Sequence, residues 1–166
     1  MNKPDRILVV NVGSTSLKFK LLDMRQGSCL AKGKVEDVFA EYARFQWTCG
    51  EYAGNERVDA REGYGPCIQQ MVKVLTDRDV GAVAGLEEIG GVGFKAVLAG
   101  GLNCPSLVND ELLQRMEAYS FVAPAHNPPY IDAMRMFRKI MPDTPLVASF
   151  ETGFHRTIPE YAYVYP

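Results

Sequence analysis

The chain has 166 residues, with 18 basic and 20 acidic side chains and a net charge of −2 when both histidines are neutral. Hydrophobic residues make up 47% and charged residues 23%, a balance that excludes global disorder and the basic surplus typical of a nucleic-acid binder. No apolar run approaches the roughly 18 residues of a membrane helix, and the start lacks the apolar stretch of about 7–15 residues of a secretory signal, so a cytoplasmic protein without nucleic-acid or membrane partners is expected.

Arg6 to Val12 is a continuous β-branched run and reads as a buried strand. Gly13-Ser14-Thr15-Ser16 is a turn by composition, and Leu17 to Asp23 alternates, so the two runs form a hairpin. Residues 29–36 and 43–49 read as third and fourth strands. The polar, glycine-bearing stretch 50–65 reads as loop.

Ile68, Met71, Val72 and Leu75 then fall at helical spacing. Residues 93–98 form a short apolar run, a strand entering a loop at Ala99-Gly100-Gly101. Asn109 or Asp110 caps a helix carrying Leu112, Leu113 and Met116. Pro128-Pro129 opens another, which carries Ile131, Met134, Phe137 and Ile140 and stops before Pro142. Pro145 to Phe150 is a further buried strand. The strand-like ending, Tyr161 to Pro166, reads as a chain cut inside a larger fold. Strands followed by alternating helix and strand indicate one α/β domain, a mixed sheet flanked by helices. Cys29, Cys49, Cys67 and Cys104 form no CxxC pair and read as reduced thiols rather than a zinc site.

Four features bear chemistry. The turn Asn11-Val12-Gly13-Ser14-Thr15-Ser16-Leu17-Lys18 offers an amide, three hydroxyls and an ammonium. Such groups surround phosphate oxygens, and Asn11 suits a hydrated Mg²⁺; the same residues also make ordinary turns. The turn is not a Walker A loop, and Gly90-Gly91-Val92-Gly93 does not fit GxGxxG. His126 lies in the proline-rigid loop Ala123-Pro124-Ala125-His126-Asn127-Pro128-Pro129, ahead of a helix start that favours anions, or serves there as a cap partner. Glu151 directly follows the strand ending at Phe150, at the sheet edge where ligands gather, or is a solvated carboxylate. Lys95, inside an apolar run, either snorkels to solvent or pairs with an anion in a cleft.

Together these segments resemble the acetate kinase family (acetate, propionate and butyrate kinases). The family pattern N-x-G-S-[ST]-S-x-K is met by Asn11 to Lys18, the loop Ala-Pro-x-His-Asn-Pro-Pro by Ala123 to Pro129, and F-D-T-A-F-H-x-T-[MI]-P-E-Y-A-Y is approached by Phe150 to Tyr163. The resemblance implies the ASKHA fold of sugar kinases, Hsp70 and actin. It implies two domains with ATP or ADP and Mg²⁺ between them. Residues 1–166 would be the N-terminal domain, with the nucleotide-binding C-terminal domain outside this sequence and a homodimer formed through that other domain.

The implied reaction moves the ATP γ-phosphoryl group reversibly to a short-chain carboxylate, giving an acyl phosphate. By the same resemblance Asn11 lies near Mg²⁺, and Ser14, Ser16 and Lys18 line the phosphate side. His126 stabilises the transferred phosphoryl group. Lys95 stands where the family has an arginine gripping the carboxylate, and Glu151 where it has the catalytic aspartate. Lysine lacks the bidentate fork of arginine. Glu151 adds a methylene, and a shift on the order of 1 Å can cost about 10²-fold in rate. A non-catalytic phosphate- or acyl-phosphate-binding module is the alternative, and a sugar kinase a third.

Overall fold

The structure is a computed structural model that describes residues 4–102, 104–153 and 157–162. The hairpin expected from the opening residues forms strands β1 (Arg6–Val12) and β2 (Ser16–Asp23), paired antiparallel with Asn11 opposite Lys18. Strands β3 (Ser28–Glu36) and β4 (Tyr42–Cys49) continue the meander.

Residues 52–59, read as loop from sequence, instead form strand β5 (Tyr52–Asp59), antiparallel to β4 at the sheet edge. The stretch Tyr-Ala-Gly-Asn-Glu-Arg-Val-Asp carries no apolar alternation, because it is exposed along most of its length. Its ladder with β4 and a turn at Gly50 (φ 56°) hold it. Trp47 lies against Gly54, where an added Cβ would collide with the indole. The indole N–H of Trp47 donates to Glu56 at 2.8 Å, and Gln70 donates to the same carboxylate at 2.6 Å, linking two strands to the following helix.

Helix α1 (Tyr64–Leu75) begins four residues earlier than its first periodic apolar residue and turns Ile68, Met71 and Leu75 into the core. It leads to β6 (Ile89–Ala96), which pairs in parallel with β1. A two-residue strand β7 (Ser106–Leu107) precedes α2 (Asp110–Ala118), capped by Asn109, whose side chain accepts from the Leu112 N–H at 2.8 Å. Helix α3 (Asn127–Ile140) crosses back to β8 (Leu146–Phe150), parallel to β6. The sheet order is β5-β4-β3-β2-β1-β6-β8-β7. Of the ending, Tyr161 and Ala162 lie in a single helical turn rather than a strand; residues 163–166 and His155 lie outside the described residues.

The helices gather over one face of the sheet. Leu8, Val10, Leu17, Phe19, Leu21 and Phe94 point into that core, and Phe94 meets Phe137 edge-on at 5.2 Å. The alternate residues face the other way. Val9, Asn11, Lys18, Lys20, Lys32 and Gln46 are exposed, so this second face carries no helix among the described residues.

Candidate functional site

The β1–β2 turn is tightly closed. The Gly13 N–H donates to the Ser16 carbonyl at 2.7 Å, and the Tyr64 hydroxyl donates to the Gly13 carbonyl. A Cβ on Gly13 would lie 2.6 Å from Ser16 Oγ, so a larger residue there would have to turn the Ser16 hydroxyl aside. Burial holds the Tyr64 phenol far above its ordinary range, which keeps it a donor. Ser14 is exposed and Ser16 half-buried at the end of this turn.

Asn11 and Lys18 emerge side by side on the helix-free face. Val9 of β1 is level with Gly93 of β6, so two residues further on Asn11 and Lys95 share that face near the strand ends. Lys95 is level with Ser149 on β8, and Glu151 follows just beyond the strand. The Lys95 ammonium and the Glu151 carboxylate form an ion pair at 2.9 Å, both half-exposed. The hydrogen bond from Lys95 to Glu151 is the main reason the ammonium titrates above its usual 10.5. A cleft of about 610 Å³ opens here between Val9, Gly93, Lys95, Val147, Ser149 and Glu151. Nothing lies within 4 Å of the missing Cβ of Gly93, so its floor stays open.

His126 occupies the N-cap position of α3, yet its side chain makes no cap hydrogen bond. The imidazole is exposed, and its ring lies 6.2 Å from that of Tyr130. The expectation of an anion-favouring helix start needs correction. Pro128 and Pro129 have no N–H, the Asn127 N–H is taken by Ala123 and that of Tyr130 by His126. The helix dipole remains, but the first turn has no free backbone donor, so the imidazole must donate any hydrogen bond.

Two residues that sequence reasoning passed over complete the arrangement. Asn127 is fully buried and donates from Nδ2 to the carbonyls of Leu98 (2.9 Å) and Met116 (2.8 Å). It fastens the start of α3 to the loop after β6 and to the end of α2. Its place beside a histidine and before two prolines was the only signal. Tyr130, one turn into α3, is buried; burial raises its phenol, while Lys95 lowers it and Glu151 raises it. The phenol therefore stands within electrostatic reach of the ion pair, and its ring lies 6.2 Å from that of His126. Among the described residues, no group of three or more His, Cys, Asp or Glu is placed to hold a metal by itself.

A strand meander joined through a central strand to parallel crossover units, with polar groups gathered at the strand ends, is the ASKHA arrangement of phosphotransferase domains. Residues 6–166 match the acetokinase family, and the chain belongs to it. It is 40% identical over 163 residues to an acetate kinase from Clostridium botulinum, covering 97% of this chain and 41% of that protein. Among solved structures it superposes on a Porphyromonas gingivalis acetate kinase with a TM-score of 0.87, at 30% identity over 97% of this chain and 41% of that one. A Francisella tularensis propionate kinase gives 0.82, at 28% identity over 95% and 39%. The chain thus spans about two fifths of the length of the relatives it matches.

Proposed function

We propose that the chain forms the N-terminal wall of a carboxylate kinase, which passes the ATP γ-phosphoryl group reversibly to a short-chain carboxylate. The observation that carries this reading is the shared position of Asn11, Lys18, Lys95 and Glu151 at one edge of the helix-free face. Lys95 binds the carboxylate or acyl phosphate as a point charge. Glu151 holds Lys95 in place and faces the cleft. His126 donates to the transferred phosphoryl group, and Lys18, with the hydroxyls of Ser14 and Ser16, receives the donor phosphates. Phosphoryl transfer rests on positioning and charge neutralisation, so no nucleophilic side chain is required.

The residues fit a Mg²⁺ that arrives on the nucleotide phosphates better than one held by protein alone. Asn11 offers a single amide oxygen, and Glu151 is occupied by Lys95. Mg²⁺ when bound would neutralise phosphate charge. The nucleotide pocket and a dimer contact are assigned to a C-terminal domain, and the compartment to the cytoplasm.

The test joins residues 1–166 to the C-terminal portion of the Clostridium botulinum relative and traps acyl phosphate with hydroxylamine. Hydroxamate is expected with at least one of acetate, propionate and butyrate; none above background with all three overturns the reading. The Lys95–Glu151 contact also favours a second reading, a binding module whose pair is opened by acyl phosphate without turnover. Heat on titrating this chain with acetyl phosphate, together with a hydroxamate-negative chimera, would select it.

A further inference from the structure

The helix-free face carries three lysines that the carboxylate site does not use, Lys20, Lys32 and Lys34, beside one that it does, Lys18. Lys18 and Lys20 on β2 stand directly opposite Lys34 and Lys32 on β3. Neighbouring strands are about 4.8 Å apart, and alternate residues of a strand about 7 Å, so four ammonium groups rise from one small rectangle. Cross-strand pairs of like charge oppose folding. Only Lys34 is compensated, by Glu36 at 3.0 Å; Lys18, Lys20 and Lys32 make no ion pair among the described residues. The lysine stems line a groove of about 570 Å³ that continues to Gln46 and Thr48 on β4. The rows therefore run Asn11-Lys18-Lys34-Gln46 and Val9-Lys20-Lys32-Thr48 across four strands.

We propose that this face binds a condensed phosphate chain, laid across the strands from Lys18 outward. Four closely spaced cations call for a ligand with comparable charge density. Condensed phosphate supplies a charge on each phosphorus, linked through single bridging oxygens. Carboxylates on one face of an extended peptide are about 7 Å apart, which matches the spacing along a strand but not the closer spacing of about 4.8 Å across the rows. Ammonium groups present three donors each without a planar fork, which suits tetrahedral phosphate, and Gln46 and Thr48 extend the row with neutral donors. The source is inorganic polyphosphate.

The site shares Lys18 with the proposed kinase centre but is read by binding alone. A failed hydroxamate assay therefore leaves it standing, and its own failure leaves the kinase reading intact. The experiment titrates sodium tripolyphosphate into this chain at low ionic strength by calorimetry. It compares the wild type with the triple variant Lys20→Gln, Lys32→Gln, Lys34→Gln, in which Lys18, Lys95 and Glu151 are untouched. Tripolyphosphate is expected to bind the wild type and to lose on the order of tenfold or more in affinity in the variant, since three charge-assisted contacts vanish. The variant's thermal midpoint should rise, because the cross-strand repulsion is relieved, and this shows that it is folded. Tripolyphosphate binding that ATP without Mg²⁺ does not displace supports inorganic polyphosphate; full displacement by ATP at equal concentration gives the face to the donor nucleotide and overturns the proposal. Equal affinity in wild type and variant, no tripolyphosphate binding, or tighter binding of poly-L-glutamate at equal charge overturns the proposal.

Discussion

Asn127 shows how one amide can hold the loop that opens a helix. Its two donated bonds satisfy the Leu98 and Met116 carbonyls inside the protein, while its own Oδ1 has no partner among the described residues. Asn127→Ala should cost about 1–2 kcal/mol, since the Leu98 carbonyl loses its donor, while the Met116 carbonyl keeps the Tyr119 N–H and the Ser120 hydroxyl and one unsatisfied oxygen is removed. Urea unfolding followed through the single tryptophan, Trp47, measures this; a loss below ~0.5 kcal/mol, the range of ordinary surface changes, would remove its anchoring role. The Lys95–Glu151 pair gives a pH prediction. The Lys95 pKa is raised in the folded chain, so the pair's stabilisation is complete below 10.5 and is lost as pH climbs through the raised value. In Glu151→Gln the Lys95 titration should fall back toward 10.5, as followed by NMR at its ε-carbon. An unchanged titration would mean that the pair does not form in solution.

Among the elements, the edge strand β5 is held by contacts rather than by its own sequence preference. Gly54→Val should destabilise the chain by about 1–3 kcal/mol, because the new side chain meets the Trp47 indole. An unchanged unfolding midpoint would show that the indole does not lie over β5. The same strand marks where sequence reading stopped. β1, β2, β4 and β8 were legible because burial of one face imposes alternation or a continuous apolar run, and α3 because Pro128-Pro129 and Pro142 bracket a 3.6-residue period. β5 was not, because an exposed edge strand needs only a partner ladder. Of the site, Asn11, Lys18, His126 and Glu151 were legible in short motifs and Lys95 in its apolar run, but not Asn127 or Tyr130, nor the direct contact of Lys95 with Glu151, which depends on the register of β6 against β8. Nor could local sequence show that Lys18, Lys20, Lys32 and Lys34 gather on one face, since that follows from the β2–β3 register.

At the scale of the whole molecule, β1 joins two unlike halves: the antiparallel meander β2 to β5 on one side, and the crossover strands β6 to β8 on the other. The backbone N–H groups of a strand point alternately to its two neighbours. Within β1, one set of alternate amides is therefore closed by the meander and the other by the crossover half. Hydrogen exchange along seven consecutive residues becomes a two-channel recorder. If the halves open separately, protection should oscillate with a period of two from Arg6 to Val12; if they open as one cooperative unit, it should be level. A ligand that clamps β6 to β8 would then slow one set of these amides and leave the other unchanged, so that a single strand reports which half of the domain a bound molecule has stiffened.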